Sequence, residues 1–313
     1  MTLWLGGPVT QALIFKRDYR ITFVMNDIIS PAPPPSVCCV VLNWNGWRDT
    51  VACLESLRHS SYPHLEVVVV DNGSTDDSVR MIRQKDPTVE ILEVHSNLGF
   101  AGGNNRGIRL ALDRGIKYVW LLNNDTIVET ETLTEMIAVA EKDQQLGEVG
   151  SILYYADQPD KVQAWAGGAV SLWTGTSRHY HEPVSPERLD YLTAASVLIP
   201  SHVLRQVGLL DESYFMYWED TDLSFRIRAA GWKLGVAPLA TLLHKEGGST
   251  GRKSAIMEGY ISASGVRFLS KFAPLPWIPI FFLVIVRALR RFLALEWSRG
   301  WATLSGIKGI RKI

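Results

Sequence analysis

LEVVVVDNGSTDDS, residues 65–78, sets four consecutive valines directly before a polar turn, and its reading decides the fold. An unbroken apolar run of this length has no solvent face, so it reads as a strand covered on both sides, as in a parallel sheet. Ser74, with Asp77 three positions later, reads as a capping box that opens a helix. The same pattern repeats on either side. Upstream, VCCVVLN (37–43) precedes apolar residues at helical spacing from Asp49 to His59, stopped at Tyr62-Pro63. Downstream come a strand over Val89–Val94, a helix from NLGFAGGNNRG through Arg114 closed by Gly115, and a strand over Lys117–Leu122. Strand–helix units repeating at roughly thirty residues imply right-handed crossovers and an α/β, Rossmann-like, mostly parallel sheet. Such sheets bind ligands beyond the carboxyl ends of their strands. Asn43, Asp71, Asn97 and Asp125 all fall there.

The second half is less regular. Strands are expected over Gly147–Leu153, Ala194–Ile199 (with a helix from Ser201) and Leu239–His244, and a loop over Trp165–Tyr180. Between them, YFMYWEDTDLSFRIRAAG (214–231) gathers Glu219, Asp220 and Asp222 at the mouth of a helix that Gly231 ends. One acid there can take a proton while a distant acid holds a metal on a phosphate. Asn123-Asn124-Asp125 supplies that second site: one carboxylate with a neutral oxygen two positions earlier, suited to a hard cation whose shell a substrate diphosphate completes. His244, at a strand end, is either a structural histidine or a further ligand. Asp71 can cap a turn or accept the imide N–H of a pyrimidine. Gly99, Gly102 and Gly103 permit a tight turn or close ligand contact; their spacing is neither a dinucleotide fingerprint nor a phosphate-binding P-loop. Asp222 is expected to cap its helix and pair with Arg226.

The 313 residues carry 32 basic and 32 acidic side chains, a balance that argues against a general nucleic-acid binder. Cys38, Cys39 and Cys53 read as buried free thiols in a reducing compartment. Three segments are expected: an N-terminal extension over 1–35 ending in PAPPP, a catalytic domain over 36–250, and a C-terminal helical region over 251–313. From Pro274 onward seven basic residues face one acid, Glu296. Arg287, Arg290 and Arg291 share a helical face beside Phe292, Leu295 and Trp297, which reads as an amphipathic helix lying on an anionic membrane; the alternative is a helix packed on the domain or in a homodimer interface.

VVLNWNG, VVVVDNGSTDDS, NLGFAGGNNRGI, LLNNDT, GLLDESYFMYWEDTDLSFRIRAAGW and LLH, in this order over 36–248, together resemble family 2 glycosyltransferases of the GT-A fold, the non-processive, rhamnosyltransferase-like bacterial kind. The resemblance implies inverting transfer of one sugar from a nucleoside-diphosphate sugar, dTDP-rhamnose or a UDP-sugar, to a glycan or lipid-linked glycan. It makes Asp71 the reader of the base, within a donor site of Asn43, Asn45, Asn97, Gly99, Gly103 and Asn104. Asn123-Asn124-Asp125 stands for the metal-binding element, holding Mg2+ or Mn2+ through Asp125 and Asn123 with His244. Asp220 is the implied catalytic base and Glu219 its neighbour, with Trp218, Asp222 and Trp165 on the acceptor side. The implied place is the cytoplasmic face of the cell membrane. Asn123 departs from the family by replacing an acid, and Thr193–Ser196 lacks the glycine usual there. Other readings are a sugar nucleotidyltransferase, for which only Arg48 offers a phosphate grip near the first strand, and an inactive binding subunit, against which Asp125 and Asp220 speak.

Overall fold

The computed structural model describes residues 33–245 and 254–306. The N-terminal extension up to residue 32, the glycines after Lys245, and Lys308, Arg311 and Lys312 lie outside the described residues. Pro35–Ile313 forms one compact unit.

The expected alternation is present: β1 (Val37–Asn43), α1 (Trp47–Arg58), β2 (Leu65–Asp71), α2 (Ser78–Lys85), β3 (Glu90–Glu93), α3 (Gly99–Asp113) and β4 (Tyr118–Asn123). β3, β2, β1 and β4 lie side by side and parallel, with Asn43 opposite Asp71 in register. The absence of a polar face in these strands has a direct cause. Val37, Cys39 and Val41 pack into a core with Leu54 of α1, whereas Cys38 and Val40 pack with Ile108 of α3 on the other side. In β4, Trp120 faces the first core, and Val119 and Leu121 the second. All three cysteines are buried and free.

Beyond β4 the sheet turns mixed. β5 (Thr126–Val128), α4 (Thr132–Lys142), β6 (Leu146–Tyr155), β7 (Gln158–Trp165), β8 (Gly167–Ser171), β9 (Thr176–His179), β10 (Tyr191–Leu192), β11 (Ser196–Pro200) and α5 (Ser201–Val207) follow. α6 (Glu219–Ala229) and β12 (Lys233–His244) complete this part. The main sheet runs β3-β2-β1-β4-β11-β6-β12-β5, with β7 added on β6. β11 is antiparallel to both its neighbours, and β12 is parallel to β6.

Three expectations change. Trp165–Tyr180 is no loop: β8 and β9 pair within it, and β8 also pairs with β10. Its glycines concealed the strands, because Gly167 and Gly168 sit where the neighbouring backbone leaves no room for a Cβ. β12 starts at Lys233, and a register shift between Val236 and Thr241 interrupts the pattern that sequence reading depends on. Ser74 caps nothing; α2 begins after Asp77, and the Ser74 hydroxyl turns back to Asp71 (2.6 Å).

The C-terminal helices are α7 (Ala255–Phe272), α8 (Trp277–Ile280), a π-type stretch (Phe281–Val286), α9 (Arg287–Leu293) and α10 (Trp297–Ser305). None of the described helices is long and apolar enough to cross a membrane. Val266, Phe268 and Leu269 of α7, with Leu283 and Val284, bury Tyr214 and Trp218 in a third core. The arginines expected on one open face divide. Arg287 and Arg291, joined by Arg299, bind the fully buried Glu258, and only Arg290 is left on the surface. That surface is strongly apolar, with Trp277, Phe281, Leu289, Leu293, Leu295, Trp297 and Trp301 all more than half exposed.

Candidate active site

A cavity of about 850 Å³ opens at the carboxyl ends of the strands and extends to α6 and the C-terminal helices. Asn97, Gly99, Asn123, Asn124, Asp125 and His244 line it, as do Trp218, Glu219 and Asp220. The sheet thus brings together residues more than a hundred positions apart.

Asp71, Asn43 and Asn45 stand behind this wall. Asp71 accepts from Asn43 Nδ2 (2.8 Å) and from the Ser74 backbone N–H (3.1 Å) and hydroxyl. Asn43 is fully buried and also accepts from the Thr50 hydroxyl. Asn45, in the left-handed region at φ 52°, accepts from the backbone N–H of Thr75 (2.8 Å). These asparagines order the two loops, while Trp44 and Asn72 beside them reach the cavity wall. Asn72 was not singled out from sequence. It donates to Asn97 Oδ1 and the Gly99 carbonyl and accepts from Leu98 N–H, fixing the entry to α3. Gly99 has φ +73° and lies against the Phe215 carbonyl, which excludes a side chain. Gly103 lets α3 approach β1, since a Cβ there would lie 2.5 Å from Leu42 Cδ1; Asn104 donates to the Phe100 carbonyl. Gly103 and Asn104 therefore serve the packing of α3 and do not line the cavity.

At the end of β4, Asp125 Oδ1 lies 3.2 Å from His244 Nε2. His244 Nδ1 lies 2.7 Å from Gln163 Oε1, and an amide oxygen only accepts, so Nδ1 carries a proton. Nε2 lies between Asn123 Nδ2 (3.3 Å) and Asp125 Oδ1: without a proton it accepts from the amide, and with one it donates to the carboxylate. Two acceptors face each other at this distance only with positive charge between them, supplied by a second proton or a cation. Burial raises the Asp125 pKa, but the hydrogen bond and charge of His244, a backbone N–H and Lys245 outweigh it and hold the carboxyl below its ordinary value. The donor set fits a cation shared with a substrate. Asp125 and His244 offer two ligand groups, and among the described residues no group of three His, Cys, Asp or Glu side chains gathers to form a complete cage. Asn123, expected as a ligand, presents its amide nitrogen to the imidazole and so orients His244. Gln163, missed in the sequence, fixes the ring from the other side.

Across the cavity, Asp220 accepts from the backbone N–H of Thr221 (2.6 Å) and Ala194 (3.3 Å). Burial pushes its pKa up, opposed by those hydrogen bonds, the Thr221 hydroxyl and the charge of His179. Glu219 is pushed up further, by burial and then by Asp220, and its Oε2 is buried without a hydrogen-bond partner among the described residues. A third acid, Glu148 on β6, was not singled out. Burial raises it from 4.5 to about 8 despite its Ser224 hydrogen bond. Burial thus favours its neutral form, which adds no negative charge beside Asp220.

Tyr217 and Trp218 enter α6 at φ 68° and 71°, conformations that cost bulky residues free energy and persist only when surroundings enforce them. α7 enforces them. Trp218 packs on Phe268 with ring centroids 4.9 Å apart, and Ser264 donates to the Met216 carbonyl (2.8 Å). Asp222 lies outside the cavity wall, contrary to its expected acceptor role, and it caps nothing. Fully buried, it accepts from Arg226 Nε (2.6 Å, the expected pairing), Lys271 Nζ (2.6 Å) and the Tyr214 hydroxyl (3.2 Å), tying α6 to α7. Trp165, at the end of β7, is also absent from the wall.

Residues 38–168 match the family model for glycosyl transferase family 2. This chain is a family 2 glycosyltransferase. It is 29% identical over 225 residues to an N-acetylglucosaminyl-diphospho-decaprenol L-rhamnosyltransferase of Mycobacterium tuberculosis, covering 64% of this chain and 73% of that one. It is 27% identical over 278 residues to the galactofuranosyltransferase GlfT1 of the same organism, covering 85% and 88%. The mannosyltransferase PcManGT of Pyrobaculum calidifontis, solved with GDP-Man and Mn2+, superposes with a TM-score of 0.57 at 18% identity over 90% of the glycosyltransferase and 76% of that chain. The fold is GT-A.

Proposed function

We propose that this glycosyltransferase moves a single sugar, with inversion, from dTDP-rhamnose or a UDP-sugar to a hydroxyl of a lipid-diphosphate-linked glycan during cell-surface polysaccharide synthesis. The observation that carries this reading is the presence of Asp220 in the same cavity as the Asp125–His244 pair, because one-step displacement needs a base and a diphosphate site but no protein nucleophile. The names of the Mycobacterium relatives support the sugar classes and the lipid-linked acceptor.

Asp71, behind the wall, serves the base of the donor by ordering the loop of Asn43 and Ser74 that it holds in place. Asp125 and His244 would hold Mg2+ or Mn2+, which when bound would supply charge neutralisation to a departing diphosphate. Asp220 takes the acceptor hydroxyl's proton as that oxygen bonds to the anomeric carbon and the sugar–phosphate bond breaks toward the nucleoside diphosphate. Its raised pKa strengthens it as a base near neutral pH, which contributes ~10²–10⁴ in rate. Trp218, pinned by α7, lines the acceptor side. The apolar surface around Leu289, Leu293, Trp297 and Trp301, with Arg290, suits an anionic membrane at the cytoplasmic face, where a soluble donor meets a lipid-borne acceptor.

The test is a screen of nucleotide sugars with Mn2+ and a lipid-diphospho-N-acetylglucosamine acceptor, read by product mass and anomeric configuration. Transfer of one sugar with inverted configuration is expected. Retained configuration, or nucleotide transfer in place of sugar transfer, overturns the reading.

A further inference from the structure

Among the described residues lining the cavity, Arg287 is the only arginine and Lys161 the only lysine. Arg287 stands at the start of α9, far in sequence from every family motif, and its setting is specific. Its Nε donates to Glu258 Oε2 (2.8 Å), and its side chain is 32% exposed. Its two Nη groups have no hydrogen bond to any described residue, although a guanidinium has donors for five. Glu258 also accepts from Arg291 Nη2 and Arg299 Nη2 at 2.6 Å each, and Glu296 binds both of those arginines. Three guanidiniums thus meet two carboxylates, leaving one positive charge. Arg291 and Arg299 each bind both acids, so the surplus falls on Arg287, the member at the cavity.

We propose that Arg287 binds the diphosphate of the acceptor, its Nη fork taking the phosphate oxygens while Glu258 holds the side chain in place from behind. A fork of N–H donors matches phosphate oxygens in pairs, which a flexible ammonium does not. The assignment to the acceptor rests on the lipid-linked reading above and on place. Asp125 and His244 already supply a diphosphate site at the strand ends. Arg287 shares its wall with the apolar Met257 and Ile261 of α7, and its own helix carries the exposed Leu289 and Leu293. A lipid lying along that surface brings its diphosphate to Arg287 and its sugar into the cavity that holds Asp220.

The test measures binding to the full chain of geranyl-diphospho-N-acetylglucosamine, of octyl N-acetylglucosaminide, and of dTDP and UDP with Mn2+, for the wild type, Arg287→Gln and Arg287→Lys. Arg287→Gln is expected to weaken the diphosphate lipid at least tenfold and Arg287→Lys a few-fold, with the octyl glycoside and both nucleotides within twofold of wild type. Equal affinity of Arg287→Gln and wild type for the diphosphate lipid overturns the proposal. So does a loss confined to dTDP or UDP, which makes Arg287 a donor residue. A loss shared by all probes with a lowered melting temperature makes it structural, and Arg287→Lys checks this by keeping the charge beside Glu258. Transfer by the wild type to each acceptor separates the two readings. If it uses the diphosphate lipid and Arg287→Gln is unimpaired, only the arginine's role falls. If it glycosylates the octyl glycoside but not the diphosphate lipid, the lipid-diphosphate acceptor itself falls.

Discussion

The two walls of the cavity are built on different principles. The donor wall is a row of strand ends, with Asn123 ending β4 and Asp125 just beyond it, Asn97 after β3 and His244 closing β12. Each position there follows from where an apolar run stops. The wall that bears the base is assembled by contact. Tyr217 and Trp218 are held in left-handed backbone by Phe268 and Ser264 of α7, Asp222 is tied to Lys271, and Asp220 leans on the Ala194 N–H. One wall is therefore rigid because the sheet is rigid. The other is held by packing and hydrogen bonds from α7.

Asp220→Asn is the hardest blow to that picture and has the largest expected effect. Turnover should fall by ~10²–10⁴ while nucleoside diphosphate affinity stays within a few-fold, as read by rate assays and calorimetry on one preparation. A variant keeping a tenth of wild-type activity sinks the base. Because burial raises the Asp220 pKa, wild-type activity should fall with decreasing pH from above the ordinary aspartate range, as the base takes up its proton.

Asp125→Ala probes the donor wall. Affinity for UDP or dTDP should drop about tenfold or more with Mn2+ present and change little in EDTA. Unaltered wild-type activity after thorough chelation would show that the diphosphate is held without a cation.

Gly265→Ala tests whether α7 governs the other wall. A Cβ there would lie 2.6 Å from Leu283 Cδ2 and 3.1 Å from Trp218 Nε1. Displacing Trp218 should cost turnover about tenfold with nucleotide affinity unchanged, since small misplacements at the reacting centre are expensive. Equal losses in both would make α7 a general support.

The smallest effect concerns Glu148. With its folded pKa raised to about 8 from 4.5, its contribution to stability is complete below pH 4.5 and is lost as pH rises through about 8. Glu148→Gln should therefore flatten the fall in melting temperature between those limits. An unchanged slope would place the titration elsewhere. Replacing Leu293 and Trp301 with serine should lower recovery on anionic vesicles in flotation, without unfolding, because both are exposed.

The parallel half of the sheet, the placing of Asp125 just after a strand and of Asp220 at the start of a helix, and the Asp222–Arg226 pair were legible in the sequence. Apolar runs and helix spacing are local, and a carboxylate after a buried strand has few places to go. Tertiary structure alone decided the rest. Gln163 and Glu148 are ordinary polar residues on strands until the fold sets Gln163 of β7 beside His244 of β12 and Glu148 of β6 beside Ser224 of α6. β8 and β9 are glycine-marked, and pairing defines them where propensity does not. Asp222 has the sequence features of a helix cap, yet Lys271, some fifty residues later, makes it a buried strut. Two of the three arginines patterned for a membrane, Arg287 and Arg291, are drawn to one buried glutamate, Glu258, because a carboxylate removed from water must find cations wherever the fold brings them.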